Sequence, residues 1–233
     1  MNFNIYIPSY NRSEETKVYQ KLEYCTYVVR KSEEEKYKKL NVPLLVVDDD
    51  KINSFTKVQN YLIENTPEDV ICVIDDDVID FTYRLEKSIK IKDKEIITSE
   101  LERIGQQVYD LGIGLGGLCV RDIPYGYLGE INFNGITGSV RYYNKEKLKA
   151  RYNNDLKFFQ DIDFVLQELI TNRILFRPNY FIGKAQVETN KGGGTSNKSM
   201  KMKADCYKLL KKKWGKYIDF NSKRNITKIV VPR

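Results

Sequence analysis

The chain has 233 residues, a formal net charge of +7 and no histidine. The missing imidazoles exclude a histidine general base, a Ser–His nucleophile pair and a histidine metal site, which leaves carboxylates, Lys, Arg, Tyr, amides and backbone for any chemistry. Four scattered cysteines without a C-x-x-C pair argue against a disulfide framework or a cysteine zinc site, and no apolar run nears the roughly 20 residues of a membrane span. A soluble, cytoplasmic protein with no membrane association and no obligate protein partner is expected.

The charge is uneven. Residues 184–233 carry 14 Lys/Arg against 3 Asp/Glu, whereas residues 1–183 carry 25 against 29. A basic tail on an acidic body suits an anionic partner such as nucleic acid, or serves only as a solubilising lysine face.

In chain order, "FNIYIP" predicts a strand ending at Pro8 and "SEETKVYQKLEY" a helix capped by Ser13. "TYVV" predicts a second strand, and "SEEEKYKKL" a helix opening with a Ser32–Glu35 capping box. "PLLVV" is a third strand, "SFTKVQNYLIEN" a helix capped by Ser54, and "DVICVI" a fourth strand. Short, nearly all-apolar strands alternating with helices predict an α/β fold: a mostly parallel central sheet with helices on both faces. After Asp77 the pattern is mixed. "KEIITSELERIGQQVYDLG" predicts a helix, "IGLGGLCV" a strand, and "GEINFNGITGSVRYYN" a small antiparallel portion turning at Gly135. "FFQDIDFVLQELITN" begins a helix and "ILFRPNYFIGK" is another strand. A glycine-rich loop then leads into the basic helix "MKADCYKLLKKKWGKY". The expected organisation is one catalytic domain over 1–183, with halves 1–80 and 81–183, and a loop and basic segment over 184–233 packed on it.

Parallel sheets bind ligands beyond the carboxyl ends of their strands. Four polar clusters fall at such ends: Ser9–Arg12, Arg30–Lys31, Asp48–Asp50 and Asp75–Asp77. The triplet DDD therefore occurs twice, each time after an apolar strand. Asp75 and Asp77 flank one residue, so both can turn toward one hard cation, Mg²⁺ or Mn²⁺, with phosphate oxygens completing the shell; a solvated acidic turn is the alternative. The "KGGGTSNK" loop offers glycine amides near Gly193 and charge from Lys191 and Lys198 to an anion, or is a linker to the last helix.

"IYIPSYNR" and "VIDDDV" together resemble the GT-A fold of nucleotide-sugar glycosyltransferases. The resemblance implies that Pro8, Ser9, Tyr10 and Arg12 border a nucleotide, with Arg30 and Asp49 on the same rim. It also implies that Asp75, Asp76 and Asp77 form the metal and donor motif, Asp75 and Asp77 holding Mn²⁺ or Mg²⁺. Lys57 and Asn60 stand loosely where the family has an Arg-Asn pair facing the donor. "FFQDIDF" resembles the acidic motif below the acceptor, which makes Asp161, then Asp163, the implied general base; either is also an ordinary helix-start carboxylate. "GITGSVRYY" resembles the acceptor-positioning turn, placing Gly138, Ser139 and Arg141 there. The family commonly takes a third metal ligand from a C-terminal histidine, which this chain lacks, so Glu188, Asn190, Asn197 or water would serve.

The N-terminal motif, the "VRK" strand end with its Glu-rich helix and Tyr37, and "IDDDV" are similar to the small TET-associated glycosyltransferases of phages. That likeness implies a UDP-sugar-type donor and hydroxymethylated pyrimidine in DNA as acceptor, with Lys211–Lys213 and Trp214 tracking the phosphate backbone. A protein or polysaccharide acceptor, a nucleotidyltransferase and a non-catalytic nucleic-acid-binding module remain the competing readings.

Overall fold

A computed structural model describes residues 1–84, 86–119, 129–186, 200–221 and 226–231. The strands are β1 (Phe3–Pro8), β2 (Thr26–Arg30), β3 (Leu44–Val47), β4 (Val70–Ile74), β5 (Val78–Arg84), β6 (Ser88–Ile91), β7 (Leu115–Gly117), β8 (Ile131–Asn132), β9 (Val140–Asn144), β10 (Arg177–Pro178), β11 (Phe181–Ala185), β12 (Ile218–Asn221) and β13 (Ile226–Ile229). The helices are α1 (Glu34–Lys38), α2 (Phe55–Asn65), α3 (Lys94–Asp110), α4 (Gln160–Thr171) and α5 (Met200–Trp214).

The central sheet runs in the order β3-β2-β1-β4-β9-β7. Its first four strands are parallel, and β9 is antiparallel to both β4 and β7. This is the mostly parallel α/β architecture that the sequence predicts. The four parallel strands are short and apolar because both faces are covered. Ile5, Ile7, Tyr27, Val29, Cys72 and Ile74 pack with Ile97, Leu101, Ile104 and Val108 of α3 on one side. Alternate residues (Tyr6, Val28, Ile71 and Val73) pack with Val58 and Leu62 of α2 and Val165 and Leu169 of α4 on the other. Leu210, Ile218 and Val231 join that second layer from the basic C-terminal part. A separate antiparallel sheet, β11-β5-β6, departs from the end of β4.

Strand order positions the site. The chain steps outward from β1 to β2 and β3, then returns to place β4 on the other side of β1. A sheet that reverses direction this way opens a crevice beyond the carboxyl ends of the strands at the reversal. Pro8–Arg12 and Asp75–Asp77 stand at those two ends.

Several local expectations are corrected. The predicted helix over residues 13–24 is only a 3₁₀ turn at Val18–Lys21. Tertiary bonds override its propensity: Thr16 Oγ1 donates to the Asp76 carbonyl at 3.1 Å and lies 2.7 Å from Tyr27 Oη, while the Glu23 amide donates to Thr98 Oγ1 at 3.0 Å. The Ser32–Glu35 capping box does not form, because Ser32 donates its hydroxyl to Asp49. Ser54 does cap α2, accepting the Lys57 amide. "ILFRPNYFIGK" divides into β10 and β11, and the β5–β6 hairpin is additional to the sequence reading. Gly135 turns with φ +114°, and a Cβ there would lie 2.5 Å from Nη1 of Arg177. Among the described residues no helix is long and apolar enough to cross a membrane.

Candidate active site

A crevice of about 540 Å³ opens beyond the carboxyl ends of β1 and β4. Its walls are the Pro8–Arg12 loop, Arg30 at the end of β2, the first turns of α2 and Asp75–Asp77. Three of the four polar strand ends therefore converge. The Asp48–Asp50 triplet is absent from the walls. Asp48 pairs with Lys51 at 3.1 Å. Asp49 accepts the Ser32 amide at 3.0 Å and the Ser32 hydroxyl, and these bonds lower its carboxyl from the usual range. The first triplet is a charged turn outside the crevice walls.

The loop after β1 is held rigidly from beneath. Asn11 takes a left-handed conformation (φ 55°), and its amide donates to both carboxylate oxygens of buried Glu33 at 3.1 Å. The Arg12 amide donates to Tyr37 Oη at 3.1 Å, and Ser9 Oγ lies 2.7 Å from the same phenol. Ser9 Oγ also donates to Asp76 at 2.6 Å, and Arg12 Nη1 donates to Asp76 at 2.7 Å. Asp76 is thus a staple between the ends of β1 and β4. Burial pushes its carboxyl up, opposed by Ser9 and Arg12. At the mouth, the Arg30 guanidinium lies 3.8 Å from the centroid of the exposed Tyr10 ring, forming a flat cationic platform.

Asp75 receives a two-pronged ion pair from Arg141, at 2.8 and 2.9 Å. The β4–β9 register sets Arg141 opposite Val73, two residues before Asp75. Arg141, expected at the acceptor, is therefore locked to the Asp75 carboxylate instead. Gly138 and Ser139 act here through backbone: the Asp75 amide donates to the Ser139 carbonyl at 2.8 Å, and the Gly138 amide to the Leu118 carbonyl at 3.2 Å. Asp77 stands 3.9 Å from Arg12. Burial, then the charges of Asp75 and Asp76, push its carboxyl up to about 6.

This donor set fits Mg²⁺ or Mn²⁺. A divalent cation relieves the carboxylate crowding that raises Asp77, and such ions take only one or two protein carboxylates when phosphate and water oxygens complete the shell. Among the described residues no group of three His, Cys, Asp or Glu is arranged to hold a metal, so Asp75 and Asp77 would hold it with ligand oxygens.

The start of α4, which carries Asp161, is not among the crevice walls; Phe159 enters that helix with a left-handed φ of 61°. Asp161 is half-buried at the helix start; burial raises its carboxyl, against the Ile162 amide and the charge of Arg141. Asp163, the second candidate base, is corrected. It is 0% exposed and accepts Lys213 Nζ and Trp214 Nε1 at 2.7 Å and Gln167 Nε2 at 2.8 Å, so it anchors α5 onto α4.

Lys57 and Asn60 also turn elsewhere. Lys57 Nζ donates to the Asp50 carbonyl at 3.0 Å, and Asn60 exchanges two 2.9 Å bonds with the backbone of Tyr152. The α2 side chains that do line the crevice are Phe55, Val58 and Gln59, which the sequence reading passed over. Lys208, Lys211, Lys212 and Lys213 are all exposed, although Lys211 Nζ donates to the Ile218 carbonyl at 2.7 Å and Lys213 Nζ to Asp163. Lys191, Gly193 and Lys198 lie outside the described residues, as do Glu188, Asn190 and Asn197.

No protein-family profile matches the chain, and no curated protein sequence matches it significantly. Solved structures to which the chain is similar include TarS 1-349 of S. aureus, at 13% identity and TM-score 0.49 over 80% of this chain. The match spans 60% of that chain. Glucosyl-3-phosphoglycerate synthase of Mycobacterium tuberculosis, in complex with Mn²⁺, UDP-glucose and phosphoglyceric acid, matches at 9% identity and TM-score 0.49, over 91% of this chain and 79% of that one. A CMP:2-keto-3-deoxy-manno-octonic acid synthetase complexed with CTP matches at 10% identity and TM-score 0.46, over 91% of this chain and 100% of that one. Likeness at this level assigns no activity.

Proposed function

We propose that this protein is a metal-dependent glycosyltransferase that moves a sugar from a nucleoside-diphosphate sugar, of the UDP-sugar type, to an acceptor hydroxyl. The observation that carries the reading is the pairing, across one crevice at the β1–β4 reversal, of the Asp75/Asp77 carboxylates with Arg12 and the Tyr10–Arg30 platform. Carboxylates alone repel phosphate, and a cationic platform alone needs no carboxylates. A metal-bound diphosphate attached to a flat base uses both.

Bound Mn²⁺ or Mg²⁺ supplies charge neutralisation for the departing diphosphate. The chain's own residues do the rest. Tyr10 and Arg30 stack on the base, and Arg12 faces the phosphate side. Arg141 fixes Asp75 in one rotamer, which preorganises the carboxylate before the ligand arrives. Asp161 takes the proton from the acceptor hydroxyl. Its raised carboxyl brings its basicity closer to that of a general base working near neutrality.

For the acceptor we propose a hydroxymethylated pyrimidine in DNA. The support is the sequence resemblance, the basic 184–233 region and the exposed Lys208, Lys212 and Lys216 near the end of α5. The test is a thermal-shift and hydrolysis screen of sugar nucleotides with Mn²⁺, followed by transfer assays on hydroxymethylated and unmodified DNA. A stabilising UDP-sugar and label transfer only to hydroxymethylated DNA are expected. Failure of every sugar nucleotide with every divalent cation would sink the glycosyltransferase reading; transfer only to protein or polysaccharide would sink the DNA acceptor.

A further inference from the structure

Gln59 is 0% exposed and borders the crevice from α2. Its Oε1 accepts the Tyr143 hydroxyl at 3.0 Å, while its Nε2 is buried without a hydrogen-bond partner. Such a group is uncommon, because an unpaired buried donor costs about 1–3 kcal/mol. The Tyr143 and Tyr152 hydroxyls are 2.9 Å apart. Since Tyr143 gives its proton to Gln59, Tyr152 must be the donor in that second contact. The three side chains therefore form a one-way chain, Tyr152 to Tyr143 to Gln59, that ends on the Gln59 amide protons and polarises them.

A second buried donor lies nearby. Arg141 gives both terminal nitrogens to Asp75, but its Nε is buried without a partner. The Arg141 guanidinium is 5.2 Å from the ring of Phe55, which sits one helical turn before Gln59 on the same face of α2. Phe55 thus neighbours two buried N–H donors without partners: Gln59 Nε2, one turn on in α2, and Nε of Arg141, whose terminal nitrogens hold Asp75.

Charge selects the ligand chemistry. Arg141 is already neutralised by Asp75, so this floor has no excess positive charge for a phosphate, unlike the Tyr10–Arg30 platform at the mouth. A neutral polyhydroxyl group fits both signs, with hydroxyl protons given to carboxylate oxygens and hydroxyl oxygens accepting from the amide.

We propose that Gln59 is a specificity-determining residue whose side-chain amide donates to a ring hydroxyl of the transferred sugar. This rests on the nucleotide-sugar reading above. Gln59 has no part in holding the nucleotide or the metal. Asn60, the neighbour with the more suggestive sequence position, is held by the Tyr152 backbone and cannot take this role without breaking two bonds.

The test compares wild type with Gln59→Leu and Gln59→Glu by isothermal titration in Mn²⁺, using UDP, UDP-glucose, UDP-galactose and UDP-N-acetylglucosamine. Gln59→Glu keeps the acceptor for Tyr143 and so guards against a loss that is only misfolding. The expected result is unchanged UDP affinity in both variants. Affinity for the UDP-sugar that wild type prefers should fall about three- to tenfold, the worth of one hydrogen bond. Retention of that sugar preference in both folded variants would overturn the proposal. So would an equal loss of UDP and UDP-sugar, which would place Gln59 at the nucleotide. Wild-type protein that binds no UDP or UDP-sugar would overturn the nucleotide-sugar reading, and this proposal with it.

Discussion

Asp163→Ala separates an anchoring carboxylate from a catalytic one. In the native fold Asp163 is fully buried and accepts three bonds: those from Lys213 and Trp214 tie the end of α5 to α4, and the third comes from Gln167 one turn on in α4. Breaking a buried ion pair by removing one partner costs about 3–5 kcal/mol. Lys213 is 44% exposed and regains water, which moves the expectation to the lower end. Trp214 Nε1 and the Gln167 amide lose a charged acceptor as well, which keeps the total near 3 kcal/mol. For a chain of this size each kcal/mol lowers Tm by about 2–4 °C, so Asp163→Ala should melt roughly 6–12 °C below wild type. Differential scanning calorimetry measures this, and titration of Mn²⁺ and UDP at a temperature where both proteins are folded should give matching affinities. A variant that melts within about 1 °C of wild type but has lost sugar transfer would refute the anchoring role and return Asp163 to the list of bases.

Other expectations follow from the same contacts. With Asp77 pushed up to about 6, a cation competes with a proton below that pH. Mn²⁺ affinity should be flat well above pH 6 and fall about tenfold per unit below it, as titration across pH would show. Asp76→Asn removes the charged acceptor that joins Ser9 and Arg12, and should raise KM for the donor about tenfold with a smaller change in kcat, as steady-state kinetics would read. Leu62→Ala opens a cavity between α2 and the sheet and should lower stability by about 2–5 kcal/mol in urea titrations without changing the UDP affinity of the folded fraction.

The parallel sheet was legible because its strands are short apolar runs punctuated by polar ends, and burial on both faces leaves no other pattern available. The convergence of Pro8–Arg12, Arg30 and Asp75–Asp77 followed from strand order alone. What failed to show in the sequence is long-range. Residues 13–24 have helical propensity, but Thr16 is drawn to Tyr27 and to the end of β4, which only the assembled sheet provides. Ser32 reads as a helix cap until Asp49, 17 residues on, is brought beside it. Arg141 reads as a loop arginine until the β4–β9 register delivers it to Asp75, 66 residues away. Asp161 and Asp163 are equivalent in sequence, yet their directions on α4 differ, and only Asp163 meets α5. Gln59, which the sequence reading passed over, is a polar residue within a helix and is buried only by tertiary packing. The β5–β6 hairpin did leave a signal, a β-branched and aromatic run at residues 78–84 followed by a polar turn.

The account turns on the asymmetry between the two Asp triplets. Isothermal titration of a UDP-sugar in Mn²⁺ into wild type, Asp77→Ala and Asp49→Ala tests it directly. Asp77→Ala should lose metal-dependent binding while remaining folded, and Asp49→Ala, altered only at an exposed turn, should bind within about twofold of wild type. Full binding by Asp77→Ala, or its loss in Asp49→Ala, would contradict the placement of the site at the end of β4.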